Sequence, residues 1–156
     1  MAVGTVSASN TDDIWQLIAT NTPSSASTTS FTSISGYKKL MVTWQITSST
    51  ANLQIRLNND TTSGNHAGTS FMYGTYADRN YGTYFPVSNY VDNPTGGYAI
   101  LRDTDKTTPK FIDEIGGMAG AVARGIYFGS SAVTQLDLLP SSGTITGTVK
   151  LYGVAA

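Results

Sequence analysis

The chain has 156 residues and a net charge of −1, with nine Lys and Arg against ten Asp and Glu, a single histidine and no cysteine. Disulfides and thiolate metal sites are therefore excluded, and so neutral a chain lacks the basic face that nucleic acid or an anionic membrane would select. Only 12% of residues are charged, and Ser and Thr, roughly a quarter of the chain, supply the polar surface instead; a surface so poor in charge reads as one meant to pack against something.

Residues 1–13 are small and polar without a period, and read as an extended N-terminal arm ahead of one domain over 14–156. Met1–Asn10 has neither the basic nor the apolar segment of a signal peptide, and no apolar run is long enough to span a membrane, so assembly in a cytoplasm is expected. Ile14–Thr20 is a first strand, with Trp15 and Leu17 on one face and Ile14 and Ile18 on the other. A loop over Asn21–Ser30, broken by Pro23, leads to a short strand at Phe31–Ile34. Lys38–Asn58 carries the clearest signal. Leu40, Val42, Trp44 and Ile46 alternate with polar or semi-polar neighbours, and after a small-residue break so do Leu53, Ile55 and Leu57. A period of two puts all seven on one face, and two such runs in succession are expected to form an antiparallel hairpin. Asn59–Gly68 is expected to be a polar turn with His66 exposed on it.

Between Phe71 and Tyr98 the pattern changes. Tyr73, Tyr76, Tyr81, Tyr84, Tyr90 and Tyr98 are interleaved with Gly and Asn, and the strands at Phe71–Tyr76 and Thr83–Val87 are limited to edges by Pro86 and Pro94. The rings either cover the open end of a sandwich or form a recognition surface, rigid side chains on adaptable backbone. On the second reading Tyr73, Tyr76, Tyr81, Tyr84 and Tyr90 are the candidate partner-contacting residues. Strands follow at Tyr98–Arg102, Lys110–Ile115, Ile126–Phe128, Ala132–Leu139 and Thr144–Val154, with a bend or bulge at Gly147. Gly116, Gly117, Gly120 and Gly125 argue against a helix around Met118–Ala123. Eight to ten short strands with frequent turns predict an all-β, two-sheet antiparallel sandwich, jelly-roll-like.

The chemistry-bearing residues are sparse. His66, the lone histidine, sits near no nucleophile elbow, and one imidazole cannot anchor a histidine metal site. DTDKTTP, from Asp103, lacks the third carboxylate and the glycine of a calcium loop. The glycine-rich stretches lack the context of a phosphate-binding loop. No catalytic residue, metal or cofactor is assigned, and the expectation is a non-enzyme.

Three stretches together resemble a group of short tailed-bacteriophage virion proteins. IWQLIATNTPSSASTTSFTSISGYKKLMV, residues 14–42, is similar to the group's opening: a Trp-x-Leu-Ile strand, a small-residue loop, a Phe-Thr-x-Ile strand and Tyr-x-x-Leu. LQIRLNNDTTSGNH, residues 53–66, resembles a Leu-x-x-Arg-Phe-Asn-Gly-Asp turn, with Leu57 in place of Phe, Asn59 in place of Gly and His66 in place of Tyr. AVTQLDLLPSSGTITGTVKLYGV, residues 132–154, resembles a penultimate strand, a Ser-Gly turn and a closing Leu-Tyr-Gly-Ile strand. Residues 67–131 carry no such likeness. The resemblance implies a β-sandwich virion component, with Trp15, Trp44, Arg56, Asn58, Asp60, Tyr152 and Gly153 as determinants of the fold and Arg56 reaching an acidic partner such as Asp60. The expected role is a trimeric capsid decoration (cement) protein seated on the major capsid protein in the virion. The alternative is a tail, baseplate or lectin-like receptor-binding component. Neither nucleic acid nor membrane is an expected partner.

Overall fold

The computed structural model describes residues 14–48, 51–72, 75–88, 95–116 and 121–156; the expected arm, 1–13, lies outside them. Twelve strands are present among the described residues: β1 (Gln16–Asn21), β2 (Thr29–Phe31), β3 (Tyr37–Ser48), β4 (Leu53–Leu57), β5 (His66–Met72), β6 (Thr75–Gly82), β7 (Phe85–Ser88), β8 (Thr95–Arg102), β9 (Lys110–Gly116), β10 (Ala121–Tyr127), β11 (Leu136–Pro140) and β12 (Thr146–Ala155). They form two antiparallel sheets, a large one in the order β1-β12-β3-β8-β9-β10-β5-β6 and a small one in the order β2-β11-β4-β7.

The strand order contains a jelly roll. By order, β1-β12-β3-β8 and β2-β11-β4-β7 match the two four-stranded halves of a doubly wound antiparallel sandwich, while β7 packs against β5, β9 and β10. Two hairpins are inserted into it, β5-β6 between β4 and β7 and β9-β10 between β8 and β11, and both extend the large sheet beyond β8. The insertions raise the strand count above the expected eight to ten, and they fall almost wholly in the 67–131 stretch, which carries no likeness to the virion group.

The anticipated hairpin of β3 with β4 does not form. β3 pairs with β12 and β8 in the large sheet, while β4 pairs with β11 and β7 in the small one. The expected apolar face is nonetheless real: Leu40, Val42, Trp44, Ile46, Leu53, Ile55 and Leu57 are all buried in one core. A period of two fixes which face of a strand is dry, and two such faces meet equally well side by side or across a core. Each of these side chains contributes roughly 1.5–3 kcal/mol of burial.

Several sequence-singled residues have clear structural work. Trp44 lies over two glycines that face each other on β8 and β9; a Cβ on Gly97 or Gly116 would sit 2.6 or 2.9 Å from its Cζ2. Asn58 and Asn59 both take left-handed backbone, with φ of 55° and 50°, and the Asp60 N–H bonds the Leu57 carbonyl at 3.0 Å. That is a tight turn of the I′ kind, which asparagine tolerates. The Asn58 side chain then clamps the approach to β11. Its Nδ2 donates to the Ala132 carbonyl (2.9 Å), and its Oδ1 accepts from the N–H groups of Thr134 and Gln135 (2.8 and 3.2 Å). Gly153 must be small because Tyr37 and Ile18 fill the space where a Cβ would stand. Tyr152, next to it, pairs with Leu17 and Met41 across neighbouring strands, and Trp15 is half-buried just ahead of β1. The pairing of β12 with β3 shifts register at Gly147, the expected bulge.

Candidate docking face

β9 is built inside out. Its sequence, KFIDEIG, puts Lys110, Ile112 and Glu114 on one face and Phe111, Asp113 and Ile115 on the other. The face with the lysine and glutamate is the buried one: Lys110 is 1% and Glu114 2% exposed, while Phe111 and Ile115 are each 46% exposed. Charged side chains are rarely fully buried without partners. Lys110 has them, since its Nζ donates to the carbonyls of Gly129 (2.9 Å) and Ser131 and lies 5.7 Å over the Tyr127 ring. Burial lowers its pKa. Glu114 has none among the described residues: neither carboxyl oxygen finds a hydrogen bond, and burial pushes its pKa up to about 9, so it is held as the neutral acid.

The outer face that results spans β8, β9 and β10. The register places Tyr98, Ile115 and Val122 in one row, and Arg102, Phe111 and Ile126 in another four residues further along each strand, with Asp113 and Arg124 in the row between. Tyr98, Phe111, Ile115, Val122 and Phe128 are large, apolar and exposed. Between them runs a charged band in which Asp113 accepts from Arg102 (2.5 Å) and Arg124 (3.3 Å), both guanidiniums more than half exposed. Two arginines on one carboxylate leave the band with an excess positive charge. Ala67, Arg102, Phe111, Ile126 and Phe128 line an open depression of about 580 Å³ on this face. Apolar side chains exposed together, with charge set among them, make this face the candidate contact surface among the described residues.

His66 contradicts its expected exposure. It opens β5, is fully buried, and packs between the Phe85 and Tyr127 rings at centroid distances of 5.0 and 4.8 Å. Its Nε2 accepts the Leu57 N–H at 3.1 Å, which fixes the turn after β4 against β5. Burial is the main reason its pKa falls to about 4; nearby Arg56 adds to the fall and Asp60 opposes it. Arg56 does not reach Asp60 as expected. Its Nε donates to the Thr83 carbonyl (3.1 Å), and Asp60 is held instead by Asn65 (2.7 Å), the Thr62 N–H (2.8 Å) and the Tyr127 hydroxyl (2.9 Å). Burial alone would raise the Asp60 carboxyl, but these hydrogen bonds outweigh it and keep it well below the usual carboxylate range. Burial, with Asp60 opposite, pushes the Tyr127 hydroxyl up to about 12. The group braces the turn: each polar atom named is engaged in holding backbone or a neighbour.

The tyrosines singled out from sequence are not brought together in what is described. Tyr73 and Tyr90 lie outside the described residues, and for Tyr76 and Tyr81 only the backbone is described, on β6, paired with Phe71 and Ala67 of β5. Tyr84 is half-buried in the turn between β6 and β7. The exposed residues that sequence reading missed, Phe111, Ile115, Val122 and Phe128, lie on β9 and at β10. KFIDEIG alone does not single them out, since Lys110, Ile112 and Glu114 alternate with Phe111, Asp113 and Ile115 and each set mixes charge with an apolar side chain.

No family model and no curated protein match the sequence. Among solved structures, A. japonicus CB05 and the wild-type A. japonicus fructosyltransferase each align with 93% of this chain at 10% identity and a TM-score of 0.45. The chain spans only 27% of their length. Peanut lectin aligns with 97% of this chain and 95% of its own at 10% identity and a TM-score of 0.31. None of these likenesses is close enough to carry a functional argument.

Proposed function

We propose that this chain is a structural component of a tailed-bacteriophage virion: a capsid decoration protein that docks on the major capsid protein, forms homo-oligomers and catalyses no reaction. The inverted burial of β9 carries the reading. A strand that turns Phe111 and Ile115 outward while hiding Lys110 and Glu114 is one whose outer face is destined for contact. The three stretches that resemble virion proteins support the same reading. They contribute most of the jelly-roll strands, and the inserted hairpin β9-β10 contributes much of the docking face. A chain with 12% charged residues fits a role in which much of the surface is covered.

Quantitative mass spectrometry of purified particles tests this. Hundreds of copies per particle are expected of a decoration protein, and a handful or none would overturn it. A second reading, a tail, baseplate or lectin-like receptor-binding component, is favoured by one observation. Phe111 and Phe128 flank a depression that also holds Arg102, Asp113 and Arg124, which pairs ring faces with hydrogen-bonding groups as a sugar site requires. Low copy number together with glycan-array binding that is lost in Phe128→Ser would favour it over the first.

A further inference from the structure

Among the described residues four strands bound the two sheets: β1 and β6 the large one, β2 and β7 the small one. An edge strand presents unpaired N–H and C=O groups that can template pairing with another chain, and proteins blunt such edges with charge, proline or short length. Three of the four edges are blunted. β6 contains Asp78 and Arg79, β7 contains Pro86, and β2 is three residues long. β1 differs. Its six residues, QLIATN, include neither a charge nor a proline, and its protection is limited to one bulge-like register shift between Leu17 and Ala19. Leu17 on it and Ile14 just before it are each 55% exposed. Beside β1, in the gap toward β2, an open depression of about 300 Å³ is lined by the half-buried Ile18 and Ala19 and floored by the buried Phe31 and Ile34.

We infer that β1 pairs antiparallel with β1 of a second copy of this chain about a two-fold axis, joining the two eight-stranded sheets into one. The occupant follows from charge and symmetry. An uncharged strand laid antiparallel on itself sets no like charges opposite one another, whereas β6 and β7 of another copy bring charge or a proline to the contact. A contact of a strand with its own copy is isologous and closes, so it covers both β1 edges and leaves neither open to further growth. The same contact brings Leu17 to the seam between the two copies, with Ile14 at its end, and covers the depression toward β2. It makes the oligomer two-fold, in place of the three-fold arrangement expected from sequence, and it does not depend on what docks at β8–β10.

Size-exclusion chromatography with light scattering on the full chain, up to roughly 100 µM so that weak specific dimers are populated, reads the result. Wild type is expected at twice the 16.5 kDa chain mass. Leu17→Lys with Thr20→Lys, both at exposed positions, adds the charge that protected edges carry and is expected at the monomer mass with an unchanged circular-dichroism spectrum. Because the chain lacks cysteine, Leu17→Cys supplies a single thiol and a reading that does not depend on the lysine variant folding. A short bis-maleimide is expected to give a covalent dimer with it, and none with Ser63→Cys in the exposed turn after β4. A wild-type monomer, a trimer mass, a dimer that survives the two lysines, or equal cross-linking at residues 17 and 63 would each overturn the inference.

Discussion

Lys110 and Phe111 are neighbours in the chain and opposites in exposure: the lysine is fully inside, donating to the Gly129 and Ser131 carbonyls, and the phenylalanine is nearly half exposed on the outer face. The lysine holds the loop after β10 from within, which leaves the other face of β9 free to be apolar. Lys110→Ala removes the donor from two carbonyls and is expected to cost roughly 2–4 kcal/mol in urea denaturation. Lys110→Met keeps the stem and should cost less.

The outer residues should behave in the reverse way. Phe111→Ser with Ile115→Thr removes exposed apolar area, so stability should change by no more than about 1 kcal/mol. Incorporation into particles assembled in the presence of the variant should fall at least about tenfold, a loss of about 1.4 kcal/mol or more in docking. Equal incorporation of variant and wild type would separate this face from the contact.

Glu114 should make the protein less stable as pH rises. Its folded pKa, about 9, lies above the unfolded value of 4.5. Between those values the unfolded chain releases a proton that the native chain keeps, so stability is full below 4.5 and declines through the window by up to about 1.4 kcal/mol per pH unit. Glu114→Gln keeps the shape without needing a proton. The variant should gain several kcal/mol over wild type at about pH 8 and little at about pH 5, read from paired urea titrations.

His66 should act with the opposite slope. Its folded pKa of about 4 lies below the unfolded 6.5, so on acidification through that window the unfolded chain takes up a proton that the native chain refuses. Stability present above 6.5 should fall by roughly 3 kcal/mol by pH 4. His66→Gln retains an acceptor for the Leu57 N–H and removes the titration, and its stability profile between those values should be flatter than that of wild type.

How much of this was legible beforehand depends on what a period of two encodes. Leu40, Val42, Trp44, Ile46, Leu53, Ile55 and Leu57 declared their inward faces correctly, yet their alternation could not say that β3 and β4 belong to opposite sheets. Partner choice is set by long-range pairing with β12, β8, β11 and β7, which no local pattern records. Asn59 stands where the resembled turn has Gly, and the left-handed backbone found there and at Asn58 is one that asparagine tolerates. His66 misled because the polar run around it suggested solvent, whereas the buried Leu57 N–H needed an acceptor and the Phe85 and Tyr127 rings enclosed it. The docking face stayed hidden for a similar reason. In KFIDEIG both faces carry a charge and an apolar residue, and only the carbonyls that receive Lys110 decide which face turns in.

The claim that the β8–β10 face is covered in the assembled particle is tested most directly by hydroxyl-radical footprinting of the free chain and of purified virions, with modification read at single residues. Tyr98, Phe111, Ile115 and Phe128 should label readily in the free chain and be protected several-fold in the particle, while Ser63 and Ser141 in exposed turns serve as references on either side. Equal labelling of the four in both samples would contradict the account.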